Sequence, residues 1–239
     1  MNVVIIPAFN ESARIAKTVM AVQALPEIDA VLVVDDASSD ATADIAERAG
    51  ADVARAKRNR GKGGALERGV VEALDRYPGL QANGILLFLD ADLEASAADA
   101  LTLLAPVASG RADVAVGLLA PQQEVAGGHG FVVSLAREGV EDVSGRRMQQ
   151  PLCGQRALTV HAATAVLPFA RGFGVEVGMT IDLLRQGFRV VEVPTDFRHR
   201  VTGRDLTSQI HRGRQFFSVW RALRERKVGP ALPVPKVVA

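Results

Sequence analysis

Short apolar runs recur through the first half of the chain, separated by stretches long enough to be helices. The runs are Asn2–Ile6, Ala30–Val34, Asp52–Ala54, Ile85–Leu89 and Asp113–Leu118. Between them, Glu11–Ala24 carries Ile15, Val19 and Val22 at helical spacing, and Ser39–Ala49, Gly63–Arg76 and Ser96–Ala108 also read as helices. The punctuation agrees: Pro7 closes the first run, Ser38 or Ser39 and Ser96 are expected caps, Gly50 follows a helix, and Tyr77-Pro78-Gly79 stops another. Strands without a polar face must be covered on both sides, which requires a mostly parallel sheet flanked by helices, the α/β class. Ligands of such sheets sit beyond the carboxyl ends of the strands.

The second half is less regular. Pro121–Gly130 is a Gly-rich polar loop, Gly172-Phe173-Gly174 precedes a helix at about Val175–Arg185, Phe188–Val193 reads as a strand and Thr207–Arg226 as a long helix. Nothing resembles a linker, so residues 1–227 are expected to form one domain and 228–239 a flexible tail. With 48% hydrophobic and 23% charged residues, the chain has a core's worth of apolar sequence and is not intrinsically disordered. One cysteine, Cys153, excludes an internal disulfide and fits a reducing cytoplasm. No run reaches the ~18 apolar residues of a membrane span, and Met1–Pro7 lacks the features of a secretory leader.

Charge is unevenly distributed. Nine basic residues between Arg198 and Lys227 face two acidic ones, so that segment is +7 and the remainder −6 against a net +1. It suits anionic partners, phosphates or a membrane surface, or is simply a solvated helix face. Phe216, Phe217 and Trp220 stand among those arginines. They either pack on the domain or dock the helix peripherally on a membrane.

The polar residues collect where a parallel sheet puts its chemistry. Strand ends are followed by Pro7-Ala8-Phe9-Asn10-Glu11, by Asp35-Asp36-Ala37-Ser38-Ser39-Asp40, by Arg58-Asn59-Arg60-Gly61-Lys62-Gly63-Gly64 and by Asp90-Ala91-Asp92. Singly, each is equally a turn or a cap, and the glycine-lysine stretch has the wrong spacing for a Walker loop. Together, carboxylates and a glycine-flanked lysine at one sheet edge suit a nucleoside diphosphate. Carboxylates alone would repel phosphate, so charge balance calls for a hard cation such as Mg²⁺ or Mn²⁺ bridging the two.

The order P-A-F-N-E, V-V-D-D-A-S-S-D-A-T, R-G-K-G-G-A-L and F-L-D-A-D resembles the family 2 glycosyltransferases of the Rossmann-like GT-A fold, over about residues 1–205. The branch of polyprenyl-phosphate mannosyl- and glucosyltransferases is the most similar. G-F-G-V-E-V-G followed by F-R-H-R also resembles the glucosyl-3-phosphoglycerate synthases. The resemblance implies a nucleotide-sugar half, 1–118, and an acceptor half, 119–227. It implies a hexosyltransferase that moves sugar from a UDP-sugar, favoured over a GDP-sugar, to a phosphate-bearing acceptor such as polyprenyl phosphate or a small phosphorylated acid. Pro7, Ala8, Asn10 and Glu11 would line the nucleoside pocket, Asp36 would contact the base with Asp35 close by, and Lys62 would reach the nucleotide. Asp90 and Ala91 would face ribose or sugar. Asp92, in the DXD motif, would be the main metal ligand, joined by His199.

Glu176, the acid of G-F-G-V-E, is the expected base for a hydroxyl acceptor. A phosphate acceptor is already ionised and shifts the work to Arg156, Arg198, Arg200 or Arg204 as clamps. Two other classes fit the sequence less well. A nucleotidyltransferase carries a basic Gly-rich signature after its first strand, where this chain has P-A-F-N-E. A non-catalytic nucleotide-sugar binder is disfavoured by the intact Lys62, Asp90, Asp92 and His199. No nucleic acid is expected as partner, and a homodimer is left open.

Overall fold

The computed structural model describes residues 1–80, 83–119, 130–198 and 206–227, with the backbone alone at 130 and 206–215. Its strands are β1 (Asn2–Ala8), β2 (Ala30–Asp35), β3 (Asp52–Arg55), β4 (Ile85–Phe88), β5 (Val114–Leu119), β6 (Arg156–Thr159) and β7 (Val190–Thr195). Its helices are α1 (Ile15–Gln23), α2 (Thr42–Arg48), α3 (Gly61–Arg76), α4 (Ala100–Ala108), α5 (Gly130–Ser144), α6 (Val160–Ala165), α7 (Val175–Arg185) and α8 (Leu206–Lys227). All seven strands form one sheet in the order β3-β2-β1-β4-β6-β5-β7. Only β6 is antiparallel to its neighbours, β4 and β5.

Alternate side chains of the central strands feed two cores. Val3, Ile5, Leu32, Val34, Leu86 and Phe88 pack under α3, α5, α6, α7 and α8. Val4, Ile6, Val31, Val33, Ile85 and Leu87 pack under α1, α2 and α4. Each such aliphatic or aromatic side chain contributes roughly 1.5–3 kcal/mol by leaving water. Every residue from Val3 to Ile6 is buried, the mark of a strand covered on both faces.

The elements depart from expectation in instructive places. β1 passes through Pro7 to Ala8. The Ile5 carbonyl accepts from Leu89 and that of Ala8 from Asp36. By alternation the missing N–H of Pro7 faces the β4 side, where β4 has already ended at Phe88, so no ladder bond is lost. The first helix starts at Ile15 rather than Glu11, because Asn10 turns the chain with a φ of 57°. Ser38 and Ser39 do not cap α2, which starts at Thr42; they bond to Asn10 instead. Glu94–Asp99 is a 3-10 helix ahead of α4, and the Ser96 hydroxyl accepts from the Arg198 amide rather than capping. α3 starts two residues early, at Gly61. α5, β6 and α6 were not foreseen. The expected loop at Pro121–Gly130 and the tail at 228–239 lie outside the described residues, apart from Gly130 at the start of α5.

Candidate functional site

Parallel pairing brings the ends of β1, β2, β3 and β4 to one sheet edge. Ala8 stands in register with Asp35, Asp35 with Arg55, and Ile5 with Phe88. Because β6 runs the other way, its beginning lies on that edge, with Arg156 opposite Phe88. The residues just ahead of it therefore meet those just after β4. α7 also starts there, with Glu176 in its first turn.

The result is a joined set of charges. The Lys62 ammonium lies 2.5 Å from Asp90 Oδ1 and 2.8 Å from Glu176 Oε1. The other Asp90 oxygen, Oδ2, accepts from Gln155 Nε2 at 2.8 Å. Burial alone would push the Lys62 ammonium towards neutrality, but Asp90 and Glu176 outweigh it and hold its pKa above the usual lysine range. Asp92 lies two residues beyond Asp90, partly exposed in the turn. The turn is pinned from α1: the buried Thr18 hydroxyl donates to the Ala91 carbonyl at 2.8 Å and accepts from the Glu94 amide at 2.8 Å.

A second layer shapes the neighbouring loops. Asn10 Oδ1 accepts from the Ser39 amide at 2.8 Å, the Asn10 amide donates to the Ser38 hydroxyl at 2.9 Å, and the Glu11 amide donates to Thr42 Oγ1 at 2.8 Å. These bonds lace the β1 and β2 loops into one rim beside Pro7 and Ala8. The buried Asp36 carboxylate accepts from the amides of Arg60 and Gly61, at 2.9 and 2.7 Å, and so steadies the start of α3 one residue ahead of Lys62. Burial raises its pKa, and those two amides pull against the rise. Asp35 is buried too. Its Oδ2 takes the Ser38 amide at 3.3 Å, and its buried Oδ1 has no hydrogen-bond partner among the described residues.

Arg156 is corrected by the structure. Only 1% exposed, it donates to the carbonyls of Cys153 and Pro151 and to Thr180 Oγ1, all at 2.9 Å. A guanidinium spent this way cannot clamp an entering phosphate; it pins the 151–155 loop to α7. Arg198 is exposed and its amide is tied to Ser96. His199, Arg200 and Arg204 lie outside the described residues. Gln155, Gly154 and Thr18 escape a residue-by-residue reading of the sequence. Their signal is spatial: a glutamine becomes an Asp90 partner only once β6 is known to be antiparallel.

The turn offers hard oxygen donors suited to Mg²⁺ or Mn²⁺. Among the described residues no three acid, His or Cys groups gather tightly enough to hold a metal. Asp92 and Asp90 would be its protein donors, and the expected third, His199, is outside that set.

A mostly parallel α/β sheet with a charged, oxygen-rich carboxyl edge fits the GT-A class of nucleotide-sugar enzymes, and the solved structures it matches have that fold. The Glycosyl transferase family 2 profile matches residues 3–128. The chain belongs to that family and is a glycosyltransferase. It is 31% identical over 216 residues, 83% of this chain and 84% of the relative, to an undecaprenyl-phosphate mannosyltransferase of Micrococcus luteus. It is 29% identical over 209 residues to glycosyltransferase AglJ of Haloferax volcanii, covering 84% of this chain but 64% of that one. Among solved structures it is similar to glucosyl-3-phosphoglycerate synthase from Mycobacterium tuberculosis in complex with Mn²⁺, UDP and phosphoglyceric acid. There the TM-score is 0.78 and identity 26%, over 96% of this chain and 79% of that one.

Proposed function

We propose that the chain moves a hexose from a nucleoside-diphosphate sugar, a UDP-sugar in preference to a GDP-sugar, to a phosphate-bearing acceptor, with polyprenyl phosphate first among acceptors. The observation that carries the acceptor class is the state of Glu176. A hydroxyl acceptor needs a free carboxylate base, and Glu176 is instead ion-paired to Lys62 at 2.8 Å. An ionised phosphate needs no such base. In this reading Asp92, with Asp90 and His199, would hold Mg²⁺ or Mn²⁺, which neutralises charge on the departing diphosphate. Lys62 stays protonated and adds a second positive charge there. The rim from Pro7 to Glu11, with Asp35, Asp36, Asp90 and Ala91, would hold nucleoside and sugar; Arg198 and Arg204 remain for the acceptor. Residues 1–118 would form the donor half and 119–227 the acceptor half of the 1–227 domain.

The lipid acceptor draws support from an aromatic lip. Phe131 and Phe217 are 74% and 60% exposed. Phe131 stacks on Phe216 and Phe217 on Trp220, at centroid separations of 5.6 and 5.8 Å, with the Arg224 guanidinium 5.2 Å from the Trp220 ring. Exposed aromatics beside arginines suit an anionic bilayer surface, reached from a cytoplasmic location. No helix among the described residues is long and apolar enough to cross a membrane. The second reading, transfer to a small phosphorylated acid, draws on the complexes named for the mycobacterial synthase.

Calorimetric titration with UDP and GDP, with and without Mn²⁺, comes first. Metal-dependent binding of one nucleotide is expected; absent or metal-independent binding sinks the proposal. Product analysis with UDP- and GDP-sugars against polyprenyl phosphate, 3-phosphoglycerate and water then selects the acceptor. Binding without turnover on any acceptor would point to a nucleotide-sugar binder.

A further inference from the structure

Asp90 is already occupied by the chain itself. Lys62 holds Oδ1 at 2.5 Å and Gln155 holds Oδ2 at 2.8 Å. The Lys62 ammonium also bridges to Glu176, 7% exposed. A cation at the start of a helix is poorly placed with respect to the helix dipole, and Lys62 is the second residue of α3. What keeps its charge there is the pair of carboxylates. The neighbouring backbone is shaped around it: a Cβ on Gly154 would collide with Lys62 Nζ and crowd Asp90 Oδ2 at 3.1 Å. An ion pair built only to brace the fold would not need a glycine held against the ammonium, nor a sheet-edge position where the lysine side chain stays 21% exposed.

We infer that Lys62 is the resident counter-cation of Asp90 and Glu176, and that it holds a divalent cation off the Asp90-Ala91-Asp92 turn until a nucleoside diphosphate arrives to take over its charge. The inference rests on the donor-site reading above. The like charge of Lys62 opposes a second cation beside Asp90. A diphosphate would supply the replacement partner: its anionic oxygens would draw the ammonium away from Asp90 and free that carboxylate. Metal and nucleotide therefore bind cooperatively, and by linkage each tightens the other by the same factor. Lys62 is in this respect a positioning residue, since it acts on the metal through Asp90.

The test measures Mn²⁺ binding to the full chain by electron paramagnetic resonance, with no sugar and no turnover. Wild type is expected to bind Mn²⁺ alone weakly and at least about 10-fold more tightly with UDP, a coupling of ordinary size. Lys62→Met is expected to bind Mn²⁺ alone several-fold more tightly than wild type and so to show a smaller UDP effect. Gly154→Ala keeps the lysine but pushes it off Asp90, and is expected to tighten Mn²⁺ alone as well; it serves if Lys62→Met does not fold. If neither variant tightens Mn²⁺ in the absence of UDP while wild type binds UDP with Mn²⁺, the counter-cation role is overturned and the donor site stands. If wild type binds no UDP with Mn²⁺, both fall.

Discussion

Asp92 and Arg156 illustrate how differently two charged residues of one site can act. Asp92 is part of a turn, partly exposed, with no place in either core. Asp92→Ala should cut turnover by more than about 100-fold, the scale on which metal-site partners act, while the thermal midpoint stays within a degree or two. UDP release and a melting curve on the same preparation check both halves. Arg156→Ala should do the reverse, because it takes a donor from the Pro151 and Cys153 carbonyls, leaves the Thr180 hydroxyl only its bond to the Glu176 carbonyl, and opens a cavity. The expected loss is about 3 kcal/mol, or roughly 6–12 °C of melting temperature for a chain of this size. A variant that melts like wild type would return Arg156 to the list of ligand residues. The difference could not be read from the letters C-G-Q-R, since burial of the arginine depends on where α7 lies.

At the scale of elements, the site depends on how closely α3 seats against its neighbours. A Cβ on Gly63 would run into the Ala170 carbonyl, and one on Gly69 would come 2.5 Å from Ile5 Cγ2. Gly63→Ala should cost about 1–3 kcal/mol and shift Lys62, raising KM for the donor more than it lowers the melting point. Gly110→Ala is the control: its φ is +70°, but nothing lies within 4 Å of the added carbon, so only backbone strain of roughly 1–2 kcal/mol is expected, with KM unchanged. Strand positions were legible from sequence because buried runs such as Ile85–Leu89 allow few alternatives. Helix starts were not. Asn10, Ser38, Ser39 and Ser96 carry side chains that cap helices in general, and here each is used between loops instead.

The whole molecule adds an acid limit and a surface. Asp40 bonds to the amides and hydroxyl of Ser12 and Thr42, and although its burial works the other way, those bonds lower its pKa to about 2 from 3.8. A depressed folded-state value stabilises above the unfolded one, so this contribution is present above about pH 4 and is lost as pH falls towards 2. Asp40→Asn should flatten that part of the stability curve and leave the curve above pH 6 parallel to wild type in urea titrations. The aromatic lip should give co-sedimentation with phosphatidylglycerol vesicles but not phosphatidylcholine vesicles, lost in a Phe217→Ser, Trp220→Ser double variant. Retention on both removes the role of the arginines, retention on neither removes the bilayer as partner, and a mass doubling in light scattering would mark a second copy of the chain as the occupant.

The order of apolar runs and polar strand ends was enough to specify the α/β class, the family and the sheet edge on which the polar clusters gather. Strand burial and the direction of parallel strands are local consequences of residue pattern. Which side chains meet on that edge was decided only by tertiary structure. The antiparallel insertion of β6 between β4 and β5 brings Gln155 to Asp90. The docking of α7 against α3's first turn sets Glu176 on Lys62. Both contacts join residues more than 60 positions apart, and the energy that selects them comes from packing of the whole sheet, which no local run of sequence contains.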